Sequence, residues 1–222
     1  QGETDATITI GTGEFTGNIG DGIENTGTTG VADITITDGT FTENQGDGIH
    51  NQGETDATIT IGSGEFTGNI GDGIENTGTT GAATIEITTG TFTNNEGDGI
   101  HNQGETDATI TIDSGEFTGN QGDGIENTST TGAADITITD GTFTNNEGDG
   151  IHNQGNDDAT ITIGSGEFTG NQGDGIENTS TTGAADITIT DGTFTNNEGD
   201  GIHNQGNTEA NITIENEGLF ES

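Results

Sequence analysis

Alternating apolar and polar residues open every repeat of this chain, first in residues 6–10, which have the sequence ATITI. A period of two is typical of a half-buried β-strand. It directs Ala6, Ile8 and Ile10 to the inner face, and the glycine-rich residues 11–13 then turn the chain. The pattern therefore predicts a first short strand that ends at a bend.

Two more strands are predicted in the same unit. Phe15 lies inward at the centre of residues 14–16, and a second bend covers residues 17–22. Ile23 then lies inward on a third strand, before a loop at residues 25–30. Three short strands separated by glycine-rich bends are typical of one coil of a parallel β-solenoid.

The unit recurs along the whole chain. Residues 6–31 and 32–56 share one pattern, of 26 and 25 residues, and together they make a 51-residue double coil. The double coils are residues 1–51, 52–102, 103–153 and 154–204, followed by a divergent segment at 205–222. Periods in this range are typical of stacked repeats. We therefore predict a single all-β domain over residues 1–222, a parallel β-helix of eight coils with almost no α-helix.

Each inward position recurs as a column of one residue type. The first isoleucine column is Ile8, Ile34, Ile59, Ile85, Ile110, Ile136, Ile161, Ile187 and Ile212. The phenylalanine column is Phe15, Phe41, Phe66, Phe92, Phe117, Phe143, Phe168 and Phe194. Two asparagine columns begin at Asn18 and Asn25, and stacked amides can hydrogen-bond along such a column. We expect these amides to serve the backbone of the bends rather than a ligand.

The charge of the chain limits its partners. It holds 40 Asp and Glu residues and no Lys or Arg, for a net charge of -40. Nucleic-acid binding depends on cationic side chains and anionic membranes repel such a chain, so we predict neither nucleic-acid partners nor membrane insertion. The absence of Lys and Arg also leaves no site for trypsin-like proteases, which favours a secreted or cell-surface location.

One acidic column is the first candidate site. Its members are Asp21, Asp47, Asp72, Asp98, Asp123, Asp149, Asp174 and Asp200. Carboxylates one strand spacing apart repel by about 1 kcal/mol in water and about 3.5 kcal/mol at an effective dielectric constant of 20. Bound cations, hydrogen bonds from bend amides, splayed side chains or high salt can relieve this repulsion. Oxygen ligands on glycine-rich bends favour Ca²⁺ as the cofactor, and the alternative is that each Asp caps its own turn.

A second column alternates between two residue types. Its members are Glu24, His50, Glu75, His101, Glu126, His152, Glu177 and His203. Because glutamates flank the histidines, protonation of the histidines is favoured and the column is predicted to be a pH-sensitive ladder. Successive histidines lie two coils, about 10 Å, apart and cannot share one metal ion. A surface charge ladder is therefore favoured over a transition-metal site.

The bend motifs carry a family resemblance. Residues 15–18, FTGN, followed by residues 20–23, GDGI, resemble the FxxN and GGAI repeats of polymorphic outer-membrane proteins. The resemblance extends over eight coils and implies a right-handed parallel β-helix of the pectin-lyase-like type. Asp21 stands where the second motif has a neutral residue. The fold carries adhesins, polysaccharide lyases and tail-spikes, so the resemblance concerns the fold more than the function.

The repetition argues against catalysis. An active site needs one constellation that is not repeated, and the loops of this chain are nearly identical from coil to coil. We therefore predict a protein that is not an enzyme. Thr7 and Thr9 invite comparison with the threonine arrays of ice-binding solenoids, but that face is interrupted by Asp33, Glu86, Asp135 and Asp186.

The two ends of the repeat array suggest an assembly. Residues 1–5 copy the end of an even coil, and the segment from residue 215 onward departs from the pattern. Open strand edges favour pairing with another chain, which predicts a filament subunit that stacks head to tail. The predicted interface residues are Gln1, Asp5, Ile8, Ile212, Ile214, Leu219 and Phe220. A stalk or passenger fragment of a repeat adhesin is the alternative, and an ice-binding protein is the third hypothesis.

Overall fold

The long strands of the coils form one continuous sheet. The computed structural model describes residues 4–215 and 219–221, the last three as backbone only. The long strands are β1 (Ala6–Thr16), β3 (Ala32–Thr42), β5 (Ala57–Thr67), β7 (Ala83–Thr93), β9 (Ala108–Thr118), β11 (Ala134–Thr144), β13 (Ala159–Thr169) and β15 (Ala184–Thr195). They pair in parallel in the order of the chain, and β17 (Glu209–Ile214) and β18 (Leu219–Glu221) both pair with β15.

The short strands form the second sheet. They are β2 (Ile23–Gly27), β4 (Ile49–Gly53), β6 (Ile74–Gly78), β8 (Ile100–Gly104), β10 (Ile125–Ser129), β12 (Ile151–Gly155), β14 (Ile176–Ser180) and β16 (Ile202–Gln205). Every pairing is parallel and keeps equivalent residues in register, as in Ile23 opposite Ile49. The parallel solenoid of about eight coils predicted from the sequence is confirmed. The part of the chain that the structure describes contains no helix long and apolar enough to cross a membrane.

The first two predicted strands of each coil are continuous in the structure. The bend expected at residues 11–13 lies inside β1, where the paired positions pass from Ile10 directly to Thr12. In the next coil two successive residues at this place, Thr37 and Asp38, both point outward. Neighbouring coils bend at the same residue, so the parallel pairing continues across the corner instead of stopping there.

The core is a set of columns with one residue type each. Phe41 to Phe168 are fully buried, and successive rings of the phenylalanine column stack with centroids 4.8–5.0 Å apart and planes within 3° of parallel. The isoleucines of the inner coils are also buried. In the first coil, Ile8, Ile10 and Phe15 are only partly buried against this core. Each coil therefore depends on its two neighbours to cover its apolar residues.

Both asparagine columns form hydrogen-bonded ladders. In the inner coils these side chains are fully buried. Asn120 Nδ2 donates to Asn146 Oδ1 at 3.1 Å and to the carbonyl oxygen of Phe92 at 3.2 Å. Asn76 Nδ2 donates in the same way to Asn102 Oδ1 at 2.9 Å and to a backbone carbonyl. The amides therefore bond to one another and also satisfy the backbone, which combines the two roles considered from the sequence.

Candidate functional site

The candidate site lies on the bend between each long strand and the following short strand. The bend has the sequence Gly-Asp-Gly-Ile, and its two glycines leave room for neighbouring atoms. A Cβ on Gly97 would run into Oδ1 of Asp72, and a Cβ on Gly99 would lie 2.5 Å from the carbonyl oxygen of Gly124. The glycines thus let the bends stack closely enough for each Asp carboxylate to reach the next coil.

One oxygen of each Asp is held by the backbone of the next coil. The backbone N–H of Asp98 donates to Oδ1 of Asp72 at 2.7 Å, and that of Asp123 donates to Oδ1 of Asp98 at 2.6 Å. All seven contacts of the column follow this pattern, at 2.6–2.9 Å. The bend amides thus stabilise the carboxylates, and the cap is formed between coils rather than within one turn.

The other Asp oxygen faces the column of alternating Glu and His. His101 Nδ1 lies 3.8 Å from Asp98 Oδ2, 3.9 Å from Asp72 Oδ2 and 3.6 Å from Glu126 Oε2. His50 Nδ1 lies 3.4 Å from Asp47 Oδ2 and 2.8 Å from Glu75 Oε2. The two columns, which the sequence suggested separately, therefore form one site.

Several groups of three in this site have their ligand atoms within 4.8 Å of one another. Groups that contain a histidine include Asp21, Asp47 and His50; Asp72, Asp98 and His101; and Asp123, Asp149 and His152. Others contain carboxylates alone, such as Asp98, Asp123 and Glu126.

The remaining members of the two columns follow the same arrangement. His152 Nδ1 lies 3.7 Å from Asp123 Oδ2 and His203 Nδ1 lies 3.5 Å from Asp174 Oδ2. Glu24 and Glu177 pair in register with His50 and His152, and Asp200 donates its N–H to Asp174.

Crowding of carboxylates changes their protonation. Burial, followed by the charge of Asp72, raises the pKa of Asp98 to about 8. Burial also raises the pKa of Asp72 and of Asp149 to about 6. Hydrogen bonds to Asp47 and Glu75 raise the pKa of His50 to about 10. The column thus retains protons at a pH where isolated aspartates have lost them.

The predicted assembly residues lie near the ends of the described solenoid. Ile8 and Ile214 are partly buried and Ile212 is 48% exposed. Asp5 is exposed, and its Oδ1 accepts the backbone N–H of Val31 at 3.2 Å. Gln1 lies outside the described residues. Leu219 and Phe220 belong to β18, and their side chains lie outside the described part.

The threonine face lies on the outside of the long sheet. Thr60 and Thr111 flank Glu86 in the pairing of β5, β7 and β9. Asp33 likewise lies between Thr7 and Thr58 in the neighbouring column of this face. The acidic residues named from the sequence therefore interrupt the face at regular places.

A protein-family comparison agrees with this architecture. The family profile described as the right-handed beta helix region matches residues 21–184 and, in a second overlapping match, residues 79–221. The chain belongs to the right-handed β-helix family. Searches of curated proteins and of solved structures gave no match.

Membership of the right-handed β-helix family leaves the activity open. The β-helix fold occurs in pectate lyase-like enzymes and also in proteins that are not enzymes. The function of this β-helix therefore depends on the side chains of its own columns and on its edge strands.

Proposed function

We propose that the chain is a non-enzymatic, extracellular structural rod, a subunit that lengthens into a filament when the sheets of one copy continue into the next. The observation that carries this proposal is the constant register of the stacked coils. Every described coil pairs equivalent residues with the next, and the edge strands β1 and β17 keep that same register. Unpaired parallel edges next to partly exposed isoleucines can accept a further coil of the same kind.

The repeat register sets the expected joint. Ile212 lies opposite Ile187 and Ile214 opposite Ile189, so β17 keeps the register of the inner coils. A following copy in the same register places its Ile8 opposite Ile212 and its Ile10 opposite Ile214. This contact is heterologous, because one end of the rod meets the other end of its neighbour, and it need not close.

The uniform surface supports a structural role over catalysis. Each candidate cluster recurs with little change, and the outward grooves lie between side chains of the same sheet, such as Thr60, Glu86 and Thr111. A cleft built from unequal loops is the usual setting of an active site in a repetitive fold. A rod that presents the same side chains at every coil suits a spacer or a filament better.

A proline at the open edge tests the joint. The N–H of Ala6 donates to Val31, toward β3, so the N–H of Thr9 three residues on points to the open edge. Thr9→Pro removes this edge donor and is expected to abolish filaments while the circular dichroism spectrum stays that of the intact chain. Thr9→Ser is the matched control and should assemble normally.

Electron microscopy and light scattering at high protein concentration, with Ca²⁺ present, provide the measurement. Filaments of the intact chain that disappear in Thr9→Pro support the proposal. An intact chain that remains monomeric would contradict the filament proposal and favour the alternative, the stalk of a repeat adhesin. In such a stalk, further coils of the same chain would cover the edges of β1 and β17.

We also propose that Ca²⁺ neutralises the carboxylate clusters. Asp98, Asp123 and Glu126 bring three carboxylates together in a chain that has no Lys or Arg. We expect Ca²⁺ to raise the melting temperature, because it binds the folded column better than the unfolded chain. Asp98→Asn should weaken this response. Equal melting temperatures in Ca²⁺ and in chelator at low salt would contradict the proposal.

A further inference from the structure

We propose that the histidine-containing clusters are binding sites for a transition-metal dication of the Zn²⁺ or Co²⁺ type, and that the site formed by Asp72, Asp98 and His101 is the best formed of them. This inference does not depend on filament formation. It also differs from the Ca²⁺ proposal, since Ca²⁺ takes oxygen ligands whereas imidazole nitrogen suits zinc and its neighbours.

The spacing of the ligand atoms around His101 is the first argument. Its Nδ1 lies 3.6, 3.8 and 3.9 Å from three carboxylate oxygens. All three distances exceed that of a charge-assisted N–H···O hydrogen bond, about 2.7–2.9 Å. Ligands bound to a tetrahedral ion at about 2.0–2.1 Å lie about 3.4 Å from one another. The ligand atoms of Asp72, Asp98 and His101 lie within 4.8 Å of one another. These three side chains therefore surround a common point, and small movements bring them to metal-binding distance with the fourth tetrahedral position open.

The support of these ligands is the second argument. Oδ1 of Asp72 and Oδ1 of Asp98 each accept a backbone N–H from the next coil, at 2.7 and 2.6 Å. The carboxylates are thereby oriented with Oδ2 toward His101. Hydrogen bonds from the surrounding structure that orient ligands in this way are a regular feature of protein metal sites. Asp98 and Asp72 side chains are only 13% and 16% exposed, so they are held within the stacked bends.

Charge is the third argument. Three carboxylate oxygens lie within 3.9 Å of the His101 imidazole, and the whole chain has no Lys or Arg to neutralise them. A dication bound between Asp72, Asp98 and His101 would offset this excess of negative charge.

The sites are expected to differ in strength. His50 Nδ1 already makes a 2.8 Å contact with Glu75 Oε2, which a metal ion would have to replace. The equivalent contact of His101 is 3.6 Å long. We therefore expect the His101 site to fill before the His50 site.

Cobalt and zinc titrations of the full chain test the inference. In the intact protein, Co²⁺ should give the intense visible absorption of tetrahedral coordination, and Zn²⁺ should displace it. Zn²⁺ should also shift the side-chain nitrogen resonances of His101 at the lowest metal ratio. Because imidazole suits zinc better than calcium, Zn²⁺ should bind at least about tenfold more tightly than Ca²⁺.

Replacement of the histidines provides the control. His101 pairs with Glu75 and Glu126 of the neighbouring coils, and His101→Gln removes the imidazole without adding a negative charge beside them. The variant should lose the first-filling site, and replacement of all four histidines by Gln should abolish the tetrahedral cobalt spectrum while retaining the Ca²⁺ response. Circular dichroism checks that both variants fold.

Two results would overturn the inference. One is a cobalt spectrum of weak octahedral type that is the same in the intact chain and the four-histidine variant, which would indicate carboxylate binding alone. The other is an absence of any shift of the His101 resonances at saturating Zn²⁺. Loss of the Ca²⁺ response alone would refute the calcium proposal and leave this inference standing.

Discussion

Replacing Asn120 by alanine is expected to lower the free energy of unfolding by about 4 kcal/mol. The side chain is fully buried, its Oδ1 accepts two hydrogen bonds from Asn95, and its Nδ2 donates to Asn146 and to the carbonyl oxygen of Phe92. Alanine removes four hydrogen bonds and leaves buried groups of both neighbouring coils without partners. Each such group costs about 1–3 kcal/mol.

Urea unfolding followed by circular dichroism measures this loss, and hydrogen exchange locates it to the coils on either side of Asn120. Asn156→Ala is the matched control, since Asn156 is only partly buried and its side chain donates a single 3.3 Å hydrogen bond, to the carbonyl oxygen of Thr131. It should change the free energy of unfolding by less than about 0.5 kcal/mol. Equal effects of the two substitutions would show that the amide ladder does not stabilise the rod.

In chelator, the metal-free rod is expected to become more stable as the pH falls from about 9 to about 5. The folded pKa of Asp98 is raised to about 8, that of Asp72 to about 6 and that of His50 to about 10. A group whose pKa is higher in the folded than in the unfolded chain makes its full stabilising contribution at a pH below the pKa of the unfolded chain. This contribution disappears as the pH rises through the pKa of the folded chain. The Asp98 window thus runs from about 3.8 to 8 and the His50 window from about 6.5 to 10.

Asp98→Asn tests the carboxylate share of this effect. The amide keeps an oxygen that accepts the N–H of Asp123 but carries no charge. At pH 8 the free energy of unfolding of the variant should therefore be about 3 kcal/mol higher than that of the intact chain. Its stability should also vary less between pH 8 and pH 5. Asp38→Asn replaces an exposed aspartate that pairs with Thr12 and Ser63. It is the control and should change the free energy of unfolding at pH 8 by less than about 0.5 kcal/mol. A melting temperature that falls on acidification from pH 8 to pH 5 would refute the prediction.

The apolar columns made the fold predictable. Ile8, Phe15 and Ile23 recur at fixed spacing, and only a stacked parallel coil brings each residue next to its own copies. The bend inside β1 was harder to predict, because glycine at residues 11 and 13 indicates a turn but does not tell whether strand pairing continues through it. Pairing continues because every neighbour bends at the same position.

The candidate site was only half predictable. The Asp column and the column of Glu and His are each visible in the sequence, and Asp47 and His50 are three residues apart. The backbone conformation of the glycine bend decides whether the Asp and His side chains lie on the same side of the solenoid. Glycine can adopt several backbone conformations, so the sequence does not fix this. The 3.4 Å contact between them therefore emerged only from the folded chain.

The alternation of Glu and His gives the rod a natural unit of growth. Losing or gaining one 51-residue double coil leaves the isoleucine, phenylalanine, asparagine and Asp columns and the column of Glu and His unchanged, because residues 52–102 and 103–153 supply the same residue at each of these positions. Losing the single coil that carries His101 would keep the isoleucine, phenylalanine and asparagine columns but would set Glu75 against Glu126. We therefore expect inherited changes in length to occur in steps of about 10 Å, two strand spacings, which would change the reach of the rod while the alternation of Glu and His along it is kept.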